Sequence, residues 1–598
     1  MYKRQTFNGA VSIQEGVVNV RSAQALGDNV NAVTVHTGAG LEIQGGITLA
    51  NYNLSIEGTG QNENGALRNI SGNNTIANNI TLTRDARIQS DTNTLTLSGN
   101  INGTNTTVTA GGNGNITFSG IIQTGLGNFT KNGTGTVTFS GTSANTYTGE
   151  TEVVAGNLNL NKTAGVNATA GLLRIGGTGT VNLLANNQIS DSSVVHIENS
   201  GTLNLSNSSE TLGYILADAG TTVNLSSVTS VLTISNALGS LMNGNVTGTG
   251  ALTKLGNGKL TLGASNSYTG VTTLSDGVLR VSDSYSLGAT NGATTVASGS
   301  SLEIARGNTD INIRENLTII GTGVAVEGAL RNLQGSNTWS GNITVGTGGA
   351  SINSDRDVFT IAGTVTSADQ SLTNGGFGNT IFASNMNLGT GNFVKTGPGH
   401  TILSNMNVTA TQTRLTGGSM IIKGMVTNSG AMTVNFGTSL CIDTTDVTNG
   451  NIFRVNGNFT NAGTINLKKE NGGSMSANTN GFQGIEFAGT TFTNTGTILW
   501  SFDAPPSGIT STNIYYGGFR SSNNIFAAYQ NGSGFFTSGF QAVGLNADQY
   551  LKTTFVAGYY YLAVIPEPST YGLMIIGMAM SAYGIFIARR KKAALRNR

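Results

Sequence analysis

Short strand-and-turn units recur along this 598-residue chain, and they limit its fold more than any other feature. Tyr147-Thr-Gly149 leads to Gly156-Asn-Leu-Asn-Leu160, and Tyr268-Thr-Gly270 leads in the same spacing to Gly277-Val-Leu-Arg-Val281. Phe7-Asn-Gly9 and Gly16-Val-Val-Asn-Val20 form an earlier version. Upstream stand Phe129-Thr-Lys131-Asn-Gly-Thr-Gly135 and Leu252-Thr-Lys254-Leu-Gly-Asn-Gly258, with a further copy at Phe393-Val-Lys395-Thr-Gly-Pro-Gly399. A unit this short cannot bury its own apolar face, so it must stack on its neighbours.

A longer repeat is laid over the short one. Residues 7–135 recur as 268–400: Leu41-Glu-Ile43 matches Leu302-Glu-Ile304, Gly65-Ala-Leu-Arg-Asn69 matches Gly328-Ala-Leu-Arg-Asn332, and Lys131 matches Lys395. Near 426–500 a unit of 33 residues is expected, from Val426-Thr-Asn428, Phe459-Thr-Asn461 and Phe492-Thr-Asn494. The strands alternate apolar residues with Thr, Ser or Asn, as in Thr94-Leu-Thr-Leu97, which predicts one buried and one wet face. Gly, Asn and Ser punctuate them. Together these features predict an all-β chain, a β-solenoid over 7–500, with Asn and Thr fixing the corners of each coil.

Composition closes off several functions. Lys+Arg 30 against Asp+Glu 29 leaves no basic field for nucleic acid. The single cysteine, Cys441, excludes an internal disulfide and reads as a small core residue. His36, His196 and His400 stand apart, with no metal-ligand spacing around them, so no metal or cofactor is expected. The densest charged stretches are Arg84-Asp-Ala-Arg87 with Asp91, and Asp355-Arg-Asp357. Asp355 repeats Asp91, which fits a charged corner of a solenoid better than a unique active site. No catalytic residue is assigned.

The C-terminus has its own organisation. After Ala504-Pro-Pro-Ser507 aromatic residues crowd in, and 501–563 reads as a cap and stalk over the exposed last coil. Pro566-Glu567-Pro568 follows, then the uncharged run Tyr571–Ala588, long enough at ~1.5 Å per residue for one transmembrane helix. Arg589, Arg590, Lys591 and Lys592 would hold the end of that helix on the cytoplasmic side, leaving 593–598 as a cytoplasmic tail. Residues 1–6 carry no export signal and read as a truncated or non-native lead.

Two resemblances follow from these motifs. The unit Lys-x-Gly-x-Gly followed by Tyr-Thr-Gly-x-Thr and Gly-x-Leu, best formed at 129–160 and 252–281, resembles the autotransporter-associated β-strand repeat. That resemblance implies a right-handed parallel β-helix at the cell surface, although the chain ends without the repeat family's membrane barrel. Residues 564–592 resemble the PEP-CTERM sorting signal of Gram-negative bacteria, which implies export, an inner-membrane-tethered intermediate and processing by an exosortase-type enzyme at Pro566–Pro568. The expectation is an exported structural or adhesive protein of the cell surface or extracellular matrix, meeting polysaccharide or other surface proteins. The alternatives are a polysaccharide-active enzyme on a β-helix scaffold and a passenger whose outer-membrane barrel is a separate chain.

Overall fold

The computed structural model describes residues 9–27, 32–305, 310–443, 452–469, 484–488, 492–502, 515–521, 540–543, 549–556 and 559–566. The chain divides into two compact units, Met1–Gly335 and Ser336–Arg598.

The first unit is a parallel β-solenoid. The coils stack through three ladders of short strands, and most coils contribute a strand to two or three of them. The first ladder starts with Val11–Ile13, Ala32–Val35 and Asn53–Gly58, paired in parallel. The second starts with Val17–Val20, Gly40–Gln44 and Leu67–Ser71. The third starts with Thr48–Leu49, Asn74–Ile76, Thr94–Leu97 and Asn115–Phe118. Residues stack on their repeat equivalents, so Leu95 lies on Ile116 and Ile116 on Val137. The alternation seen in the sequence is the burial pattern: Leu95, Leu97, Ile116, Phe118, Val137 and Phe139 are all buried. Phe129 and Phe139 meet edge to face with centroids 4.7 Å apart, and Phe118 lies against both.

The repeat motif has a packing role at almost every position. Lys131 points inward, and its Nζ donates to the carbonyls of Asn132, Gly133 and Ala155 at 2.8–2.9 Å. The ammonium thus ties its own turn to the turn one coil later. Burial pushes this lysine down to about 8. Lys254 and Lys395 make the same cap, and both are lowered to about 8 by burial. Gly156 sits over the Lys131 turn at φ 68; a Cβ there would lie 2.5 Å from the Gly133 carbonyl and 2.9 Å from Lys131 Nζ. The aromatic of the motif is core: the buried Tyr147 and Tyr268 hydroxyls each meet a threonine Oγ1, Thr151 and Thr272, at 2.6 Å.

The corners are held as the sequence predicts. Asn79 Oδ1 accepts the backbone N–H of Asn100, and Asn100 Oδ1 accepts that of Ile121, at 2.8 and 2.9 Å. This satisfies turn donors that no strand can pair.

The second unit repeats the three-ladder pattern. Ile343–Ser354 crosses a corner: Ile343 pairs with Val365 on one ladder and Ala350 with Leu372 on the next. The spacing of 33 residues is the step between stacked strands Phe459–Asn461 and Phe492–Asn494. The copy at 426 keeps the 33-residue spacing in sequence but does not stack beneath Phe459. Val426 stacks on Phe453, and Phe459 stacks on Met432, so the earlier copy occupies a different ladder. Lys131 and Lys254 differ in the same way, Lys131 stacking on Ala110 and Val153 in the second ladder and Lys254 on Ile234 and Leu274 in the first. An inward apolar residue, a polar outward residue and a glycine turn satisfy any of the three faces equally, so a motif can slide by a third of a coil.

Beyond residue 500 the pairing changes sense. Gly518–Ser521 still stacks in parallel on Gly484–Phe487, but Tyr559–Pro566 runs antiparallel to both Tyr515–Ser521 and Gln549–Val556. Pro566 ends that strand. Residues 1–6, Glu567, Pro568, the apolar run 571–588, Arg589, Arg590, Lys591, Lys592 and the tail 593–598 lie outside the described residues. Among the described residues no helix is long and apolar enough to cross a membrane.

Candidate functional site

The inward positions are consumed by packing, so function has to be carried by the outward rows. The third ladder presents the most regular one. Thr75, Thr96, Thr117 and Thr138 stack in register, and Asn159, Asn182, Asn204 and Asn224 continue the row. The amides bond along the row: Asn182 Nδ2 donates to Asn159 Oδ1 at 2.9 Å and Asn204 Nδ2 to Asn182 Oδ1 at 3.0 Å. The result is an uncharged rank of hydroxyls and amides at the strand spacing of ~4.8 Å.

The second ladder carries the charge. Asn19, Glu42 and Arg68 stack in one row. Arg68 bridges Glu42 at 2.9 Å and Asp91 at 2.5 Å, and the hydrogen bond to Asp91, then the two carboxylate charges, raise it above the ordinary guanidinium value against the opposing effect of burial. Arg280, Glu303 and Arg331 repeat the row in the second copy, with Arg280 2.8 Å and Arg331 3.4 Å from Glu303. These rows are self-neutralising ladders.

The stretches singled out by charge do not assemble. Asp85 accepts the backbone N–H of Thr107 at 2.8 Å, at the corner where Ile80–Ser90 leaves the first ladder for the second. Asp91 follows the far end of that strand, roughly 20 Å away along an extended backbone, and is held by Arg68. Arg84 is exposed, and Arg87 donates to Gln89. Asp357 occupies a left-handed turn at φ 56.

The histidine reading needs correction. His196 shares its outward row with Arg174, and its Nε2 lies 3.4 Å from Asp218 and 4.0 Å from Glu198. One ligand atom from each of these three residues falls within 4.8 Å of the others, a set able to hold a divalent cation. The sequence signal was His196-x-Glu198 on one strand, with Asp218 one coil later. The site is contested, because Arg174 reaches Glu198 at 3.9 Å and also pairs with Glu150. His36 contacts Ser12 and Glu57, and His400 contacts Ser419. Cys441 is not core: it faces outward between buried Leu440 and Ile442 and is half-buried.

Two glutamates lie inside the coil wall. Glu210 Oε2 accepts the backbone N–H of Gln188 at 2.8 Å, and burial pushes its carboxyl up to about 8. Glu315 accepts the Thr294 hydroxyl at 2.9 Å and is pushed up to about 7 by burial. Sequence patterning had no means of finding either, since a polar residue beside a strand reads as outward.

The passenger-associated-transport-repeat family matches residues 129–160 and 252–281, the segments whose lysine, tyrosine and glycine positions form the caps described above. A search of curated proteins finds no match to the chain.

Proposed function

We propose that this chain is an exported passenger-type β-solenoid acting at the surface of a Gram-negative cell or in its extracellular matrix, in a structural or adhesive role and without catalysis. The observation that carries the reading is the stacking of passenger-type repeats into parallel ladders whose inward positions serve packing. The uncharged Thr/Asn rank supports adhesion, because many weak hydrogen bonds at fixed spacing suit multivalent contact with glycans or other surface proteins. Separation of Asp85 from Asp91 supports a non-enzymatic reading over a polysaccharide-active one.

Processing by an exosortase-type enzyme through Pro566-Glu567-Pro568, with transient membrane tethering by 571–588 and 589–592, completes the proposal. The switch to antiparallel pairing at 515–566 supports a cap that ends parallel stacking just before the motif. Replacing Pro566, Glu567 and Pro568 by alanine in the native host should leave a larger, membrane-fractionated form and abolish surface labelling of intact cells. Normal size and surface labelling in that variant would reject the sorting reading. Failure of the unaltered protein to reach the surface would reject export itself.

A further inference from the structure

We infer that an open cleft on the first ladder, lined by Thr81, Thr83, Asn102, Thr104, Thr106 and Gln123, is a binding site for a neutral polyhydroxylated ligand, a segment of an uncharged glycan. The inference deepens the adhesive reading and rests on it, because it assigns that role to one site.

The cleft has a volume of about 550 Å³, within the range of small-molecule sites. Its floor is an outward row: Thr81 stacks on Asn102 and Asn102 on Gln123, with Gln123 Nε2 donating to Asn102 Oδ1 at 2.6 Å. Its sides are the strand end at Thr83 and the turn Thr104–Thr106. Thr83 donates its hydroxyl to Glu57 at 2.9 Å, which leaves its oxygen free to accept. Thr106 is 7% exposed, and its Oγ1 has no hydrogen-bond partner among the described residues. A buried hydroxyl in that condition costs folding free energy.

The lining selects a ligand class. Apart from Leu82 and Gly103, the residues around the cleft bring hydroxyls and amides, with no cation among them to hold a phosphate or carboxylate. Arg84 nearby lies 3.9 Å from Glu57. Beneath, Ile101–Gly103 is paired on both sides, and Ile122 is covered by Asn145 and Thr146, which leaves little open edge for an added peptide strand. Groups that both donate and accept, set at ~4.8 Å intervals along the stack, match a chain of sugar hydroxyls.

The second copy of the block lines the same place differently. Thr344 replaces Thr81, but Gly346, Ala368 and Gln370 stand where Thr83, Thr104 and Thr106 stand in the first. Gln370 accepts the Gly348 N–H at 2.8 Å and donates to the Ala368 carbonyl at 3.0 Å. Gln370 is thus bonded within its own turn, whereas Thr106 Oγ1 at the matching place in the first copy has no partner among the described residues.

The test is affinity gel electrophoresis of the full chain through soluble hydroxyethylcellulose, xylan and dextran, with polygalacturonate as an anionic comparison. Retardation by at least one neutral polymer is expected. Thr83→Val and Gln123→Leu should each weaken it, and Thr83→Val combined with Thr106→Val should do so by roughly tenfold or more. Thr106→Val should melt no lower than the parent, because it removes an unpartnered hydroxyl. Thr344→Val should leave retardation unchanged. Retardation by none of the neutral polymers, or by polygalacturonate alone, overturns the site. So does retardation that survives the cleft variants but is lost on Asn182→Ala, a result that would keep the adhesive reading and move it to the third ladder.

Discussion

The chain contains its own control experiment, since block 7–135 and block 268–400 began as one sequence. Where they agree, the residue faces inward, closes a turn or joins a cross-coil ion pair. Lys131 and Lys395 both drive an ammonium into turn carbonyls, and Gly156 and Gly418 both ride over that turn with positive φ. Glu42–Arg68 and Glu303–Arg331 keep the same cross-coil pair. They differ at some buried positions, where Ile76 matches Trp339 and Ile116 matches Thr380, and also along the outward rows. Thr83, Thr104 and Thr106 have become Gly346, Ala368 and Gln370, and Tyr52 has become Glu315. A change at a buried position must be accommodated by both adjacent coils, as where Trp339 stands in place of Ile76. An outward position answers only to solvent or a ligand.

This comparison can be broken at three places. The glycines over the lysine turns should be the most sensitive. Gly156→Val and Gly418→Val each force a β-branched side chain into a left-handed conformation and into the carbonyls below, with Gly397 O 2.5 Å from a Cβ at Gly418. Each should cost about 3 kcal/mol or more of local stability, read as loss of amide hydrogen-exchange protection in the coils on either side. Unequal losses would mean that the two turns are not equivalent.

A smaller effect should separate the copies by pH. Tyr52 shares its hydroxyl with the Ala23 and Gly27 carbonyls, both at 2.9 Å, and carries no charge there. Glu315 at the matching position is pushed up from 4.5 to about 7 by burial. The folded state therefore holds its proton more tightly than the unfolded state. That stabilisation is complete below about pH 4.5 and is lost as pH rises through 7. Glu315→Gln should remove an alkaline loss of about 2 kcal/mol, measured as exchange protection around 293–319 between pH 5 and 8. The corresponding coils of the first copy should show no such slope from position 52.

The cross-coil ion pairs should matter least. Arg68→Ala leaves Glu42 and Asp91 part-exposed and able to hydrate, so a loss of up to about 1 kcal/mol is expected. Arg331→Ala should cost somewhat more, because Glu303 is only 8% exposed. Equal losses, both suppressed by added salt, would place Glu303 in solvent instead.

Much of the fold could be read from pattern. Alternation in Thr94–Leu97 and Asn115–Phe118 declared which residues face in, and the repeats declared that they stack. The candidate sites were less legible. Asp85 and Asp91 look clustered in sequence, yet an extended strand carries them to opposite corners of one face. His196, Glu198 and Asp218 look scattered, yet one coil of 22 residues brings them together. Sequence distance is a poor guide in a solenoid, because the nearest neighbour of a residue is usually a full coil away.

By itself, the sequence determined a stacked all-β architecture, the identity of the buried face, and the glycine and asparagine punctuation of the corners, since these follow from local periodicity and backbone preference. Only the tertiary structure decided which ladder each motif occupies. The three faces make the same demand on a strand, and the accumulated lengths of the preceding turns set the phase. It alone decided that the motif lysine is a buried cap, because three carbonyls from two coils must converge to receive it. It decided also that one copy of a duplicated block has an open cleft where, in the other, Gln370 bonds back to neighbouring backbone, a difference made by contacts that no single repeat contains.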